Sequence, residues 1–196
     1  MSKASSVAAN NLPPVARPRY HPFYCEENLW WWTYNLSSEE RASAHVLVIS
    51  NPARRAAIGL QKLGQAPVGL MVWDYHVIGI QHLGPEAWVI DFDTNAAEHR
   101  IEASWWLAKQ SQIIAHVTPE FEPLFRPIPA GTYHEAFSST RSHMLDEKGN
   151  YIHPAPAWPC IESDSTYLAE VESLLATDAS EGWHRIGDLW KSLKRP

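Results

Sequence analysis

A thiol, an imidazole and a carboxylate are the groups of this chain whose types and spacing could make a nucleophile, a base and the group that orients it. Cys25 stands just before Glu26, Glu27 and an apolar run, the charge order that a helix N-terminus prefers, so it is placed at the positive end of a helix dipole. A thiolate is favoured there, and a neighbouring imidazolium favours it further, which is how a cysteine becomes a nucleophile near neutral pH. An isolated cysteine is more often a small buried hydrophobe, so the placement counts only with a base nearby. Cys160, between Pro159 and Ile161, is a rival nucleophile, but no helix start follows it.

The base is sought in two runs rich in β-branched and aromatic residues, 71–78 and 88–94, separated by His82-Leu83-Gly84-Pro85. They read as two antiparallel strands and a short turn. Opposed residues in such a pair have a constant sum of positions, so a turn centred between Leu83 and Gly84 sets His76 across from Asp91 on one face. A carboxylate on one imidazole nitrogen fixes the tautomer and leaves the other nitrogen to serve a nucleophile. A core histidine satisfied by a backbone carbonyl is the plainer alternative. The same register opposes Asp74 to Asp93, which is unfavourable unless a cation joins them or sheet twist and solvent separate them. The pair is therefore a candidate receptor for a substrate ammonium. Strand alternation puts Trp73 and Tyr75 on the face opposite His76.

Other elements must hold these groups. Residues 25–36 read as a helix, residues 37–40 as its close or a further capped turn, and residues 44–49 as a short strand. Residues 51–67 stay open between a helical turn and an irregular connection. An amphipathic helix is predicted over 97–112, with Ile101, Trp105 and Ala108 at helical spacing. The proline-rich stretch 118–160 reads as a long ordered loop. Ser165 and Thr166 are placed to cap a helix reaching Leu175, and Ile186, Leu189, Trp190 and Leu193 mark a last helical face. Residues 1–18 read as a flexible arm and residues 19–196 as a single catalytic domain.

Composition narrows the function class. A chain of 196 residues, 45% hydrophobic, can bury a sizeable core. A formal charge of −6 and a pI near 5.9 argue against a nucleic-acid or anionic-membrane surface, both of which need clustered Lys and Arg. Neither a secretory h-region nor an apolar run of 18 residues is present, and two cysteines make no disulfide framework, so a cytoplasmic protein is expected. No HExxH, CxxC, GxGxxG or GxxxxGK[ST] occurs, and His134, His143 and His153 are spread along the sequence. Neither a metal nor a nucleotide cofactor is expected.

Five stretches taken together say more: Tyr24-Cys25-Glu26-Glu27-Asn28, Trp73-Asp74-Tyr75-His76-Val77, Asp91-Phe92-Asp93-Thr94, Arg141-Ser142-His143-Met144 and Pro159-Cys160-Ile161-Glu162. In order and content they resemble the protein N-terminal glutamine amidohydrolase family. The resemblance implies an α/β (α+β) fold of papain-like or transglutaminase-like type, with a central, mainly antiparallel sheet flanked by helices. It implies Cys25 as nucleophile, His76 as base and Asp91 as orienter, acting without cofactor on proteins or peptides with a free N-terminal glutamine. Glutamate and ammonia would be the products, a step that in eukaryotes prepares proteins for arginylation and degradation. Glu26, Glu27, Asp74 and Asp93 are then the candidate partners of the α-ammonium, and the 141–144 stretch a loop shaping the entrance. By analogy the enzyme is a monomer. A cysteine peptidase or transglutaminase-like acyltransferase with the same triad, and a protein that binds N-termini without turnover, are the competing readings.

Overall fold

The run Ala-His-Val-Leu-Val-Ile-Ser is apolar at most positions because the strand it forms is covered on both faces. In the computed structural model, which describes residues 19–164, 168, 171–175 and 182–193, the elements follow in this order: α1 (Cys25–Asn35), α2 (Ser38–Ala42), β1 (Ala44–Ser50), β2 (Ala56–Ile58), β3 (Met71–Trp73), β4 (Tyr75–Leu83), β5 (Glu86–Ile90), β6 (Arg100–Glu102), α3 (Ala103–Ile114), β7 (Leu124–Pro129), α4 (Ala130–Ala136), α5 (Val171–Leu175) and α6 (Ile186–Ser192). Five strands make one sheet in the order β6-β5-β4-β1-β7, every neighbouring pair antiparallel, and β2 pairs with β3 separately. The fold is α+β.

Alternation along β1 divides the core. Val46 and Val48 pack with Leu29 and Trp32 of α1 and Tyr133 of α4. Leu47 and Ile49 face the other way, onto Trp106 of α3 and Leu189 of α6. Helices on both faces make the structure three layers deep. Gly79 of β4 lets α1 come close: a Cβ there would stand 2.7 Å from the Trp32 ring. That close approach helps seat the N-terminal end of α1, and Cys25 with it, against the start of β4.

Several expectations change. The predicted strand 71–78 is two strands broken at Asp74, and β5 ends at Ile90, so Asp91 stands just past it. The pairing sets Gly79 against Ile90 and Leu83 against Glu86, so the turn is centred one residue later than expected. The predicted helix at 97 begins at Ala103, where the Glu102 side chain accepts from the Ser104 and Trp105 N–H groups and caps it. Its buried face is Ala103, Trp106 and Gln110, while Trp105 is exposed. Trp190, placed on the buried face of the last helix, is likewise exposed. Residues 51–67, left open, contain β2. The stretch 118–160 holds β7, α4 and loops; Pro127 and Pro129 are tolerated because β7 lies at the sheet edge. The arm and the caps at Ser165 and Thr166 lie outside the described residues.

Candidate active site

Cys25 is the first residue of α1, as its acidic followers predict, and no side chain caps that helix end. His76 is the second residue of β4 and Asp91 follows the last residue of β5. Because β4 and β5 are antiparallel, the start of one and the end of the other lie at the same end of the sheet. His76 Nε2 is 3.0 Å from Asp91 Oδ1, both side chains being fully buried. They meet on the diagonal rather than directly opposed, since Asp91 continues the register to face Ile78.

The carboxylate is held from both sides. The Asp93 backbone N–H donates to Asp91 Oδ1 at 2.9 Å, and the Gln61 side-chain amide donates to Oδ2 at 2.8 Å. Gln61 is buried in the segment left unassigned from sequence, and nothing in its surroundings there marks it. Trp73 stacks on the His76 ring with centroids 5.1 Å apart and planes 11° apart. Alternation had put Trp73 on the opposite face; the break at Asp74 resets the phase and brings it over. His76 Nδ1 is buried and, among the described residues, has no hydrogen-bond partner.

Electrostatics couple these groups. Burial alone would push His76 down, but the charge and hydrogen bond of Asp91, with Asp93 and Glu26 beyond, outweigh it and hold the imidazole above its ordinary pKa. Burial would raise Asp91, yet His76, the Gln61 amide and the Asp93 N–H hold it below the usual carboxylate range. Burial pushes the Cys25 thiol well up, and Glu26, Asp93 and Asp74 push it further, against one hydrogen bond from the Val77 backbone. Burial and three carboxylates thus work against the thiolate that a helix N-terminus favours.

Cys25 and His76 line one cleft of about 300 Å³ together with Asp74, Asp93, Trp73 and Tyr75. Asp74 and Asp93 both reach it, though not as an opposed pair: Asp74 Oδ1 accepts the Tyr75 N–H, and Asp93 Oδ1 accepts the Tyr20 hydroxyl at 2.7 Å. The predicted binding residue Glu27 does not line the cleft. It is fully buried, bonded by Arg141 at 2.8 and 2.9 Å and by the Trp158 indole at 2.7 Å, so both of its oxygens are taken. That pair ties the 141–144 loop to α1 and leaves His143 and Met144 on the cleft wall. Glu26, also fully buried, accepts the Tyr75 hydroxyl at 3.0 Å and contacts the Cys25 sulfur at 3.6 Å. Cys160 is half-buried and is not part of the cleft; both cysteines are free thiols. Ligand atoms of His76, Asp91 and Asp93 lie within 4.8 Å of one another, and His76 and Asp91 already bond each other there.

The arrangement brings together a thiol, an imidazole with one unbonded nitrogen, a carboxylate on its other nitrogen and an acidic rim. Known proteins resemble this chain over most of its length. Bovine protein N-terminal glutamine amidohydrolase is 29% identical over 95% of this chain and 92% of its own length, and the human protein of the same name is 29% identical over 94% and 92%. The protein of that name from Drosophila erecta is 33% identical over 79% of this chain and 77% of its own. Residues 20–193 match the model of the N-terminal glutamine amidase family, and the chain belongs to that family.

Proposed function

We propose that this chain hydrolyses the side-chain amide of glutamine at the N-terminus of proteins and peptides, by a Cys-His-Asp thiol mechanism. The observation that carries the mechanism is the pairing in one cleft of the Cys25 thiol with an imidazole whose Nε2 is tied to Asp91 and whose Nδ1 is unbonded. The substrate's α-ammonium is received at the acidic rim by Asp74 and Asp93. A helix-borne thiol meeting a histidine at the end of an antiparallel sheet supports the papain-like reading of the fold.

The resting thiol is protonated, so His76 Nδ1 takes its proton as sulfur attacks the amide carbon. A C–S bond forms and the carbonyl oxygen becomes an oxyanion, stabilised by the uncapped N–H groups at the start of α1. The imidazolium then passes its proton to the amide nitrogen, the C–N bond breaks and ammonia leaves. Water, deprotonated by His76, adds to the γ-thioester; the C–S bond breaks, the thiol regains its proton and glutamate remains. Thiol, imidazole and water suffice for each step. Two free thiols fit a reducing compartment, and a cytoplasmic monomer is our reading of the acting form.

Ammonia release from a peptide with N-terminal glutamine, and from the same peptide acetylated, tests this with wild type and Cys25→Ala. Release from the free peptide only, abolished in Cys25→Ala, is expected. Release from both peptides would instead indicate a general deamidase or acyltransferase, and release from neither would favour a binding protein.

A further inference from the structure

Glu26 is a fully buried carboxylate touching the nucleophile, and no step above uses it. It opposes formation of the thiolate, so its place beside Cys25 calls for a physical account. The Glu26 side chain does not line the cleft, but the two side chains it contacts there, Tyr75 and His143, do. Glu26 Oε2 accepts the Tyr75 hydroxyl, while His143 Nε2 lies 3.2 Å from the phenol oxygen and 3.5 Å from Glu26 Oε1. With its proton committed to Glu26, the phenol meets a ligand as a hydrogen-bond acceptor. The thiol and the phenol converge on the same oxygen, Glu26 Oε2. An amide carbon poised for attack stands roughly 3–3.5 Å from sulfur. Cys25 and Tyr75 line the same cleft, so the nitrogen on that carbon can be turned toward the Tyr75 oxygen.

We propose that Tyr75, set as an acceptor by Glu26 and flanked by His143, binds an N–H of the substrate's side-chain amide and turns away the carboxylate product. The inference rests on the proposed activity and adds how the site tells glutamine from the glutamate it makes. A carboxamide brings two donors, whereas an ionised carboxylate brings acceptors only. An acceptor backed by a buried negative charge thus attracts the first and repels the second, which also speeds product release. Glu26 is a positioning residue in this scheme, acting through Tyr75, and is not a partner of the α-ammonium as its sequence position suggested.

Binding without turnover tests this. In the Cys25→Ala background, dissociation constants at pH 7 are measured by calorimetry for two peptides differing only in N-terminal glutamine or glutamate. Glutamine is expected to bind at least about tenfold more tightly, since a site built to bond N–H rejects an analogue lacking it. Adding Glu26→Gln should narrow that ratio about fivefold or more, chiefly by tightening the glutamate peptide; adding Tyr75→Phe should narrow it by weakening the glutamine peptide. A ratio unchanged in both, equal weakening of both peptides, or binding of neither overturns the proposal. Should Glu26→Gln fail to fold, Tyr75→Phe decides alone. Ammonia release by wild type with an unchanged ratio would sink this proposal and leave the activity standing; no ammonia release would sink both.

Discussion

His76 is the residue through which every proton of the proposed reaction passes, so its surroundings set the pH dependence. It must be neutral to take the thiol proton, and Asp91 holds its pKa above the ordinary 6.5. Thus kcat/KM should fall as pH drops through a value above 6.5, the imidazolium fraction rising. Asp91→Asn leaves the burial and removes the charge, so the acidic limb should move to lower pH. The rate should drop by about 10²–10⁴-fold as the ring loses its fixed tautomer. A limb that stays in place in the variant would show that another group sets it. Gln61 makes a second test at this scale. Gln61→Met keeps the volume but frees Asp91 Oδ2; kcat should fall about tenfold, with KM little changed, for loss of one hydrogen bond to a charged group. Of these residues, His76 and Asp91 were legible in sequence and Gln61 was not. The turn centre was misplaced by one residue, yet that shifts the position sum by two and preserves which face each side chain takes. Gln61 reaches Asp91 from an irregular segment, where no period announces a direction.

At the scale of elements, the charge order after Cys25 was enough to place α1, because acidic residues in a first turn have few other uses in a run of three tryptophans. β7 was hidden by its prolines: a segment reading as loop is an edge strand paired to β1. The helix after β6 was read six residues early, since Ile101 and Trp105 matched a helical spacing that the strand and the exposed face of α3 happen to share. What fastens the 141–144 loop to α1 is a buried ion pair, and long-range pairs of this kind leave no local mark. Arg141→Met should destabilise the fold by about 3–5 kcal/mol in chemical denaturation, because Glu27 is left charged and buried without a cation. Glu27→Leu added to Arg141→Met should recover much of that loss. If the single and double variants are equally unstable, the loop is held by its packing and by Trp158 rather than by the charge pair.

The whole molecule adds a field to the site. Its formal charge is −6, and the cleft carries Asp74 and Asp93, with Arg54 as the one Lys or Arg lining it among the described residues. On the proposed activity a substrate arrives as a cationic N-terminus, so the field should draw it in while the residues that follow decide how strongly. Raising salt from 20 to 300 mM shortens the screening distance from roughly 20 Å to roughly 6 Å, which removes the long-range part and leaves contacts inside the cleft. For a peptide beginning Gln-Lys-Lys, kcat/KM should therefore fall by about two- to fivefold over that range, through KM, with kcat constant. For Gln-Glu-Glu it should rise, because salt screens the repulsion of an acidic chain by an acidic protein. The two series share the reacting residue, so a common effect of salt on the thiol or on folding would move both in one direction and be recognised. If the acidic peptide also loses activity with salt, Arg54→Ala separates the two causes: loss of the acidic peptide's salt dependence alone assigns it to Arg54 at the rim, and salt dependence kept in both series assigns it to the common effect.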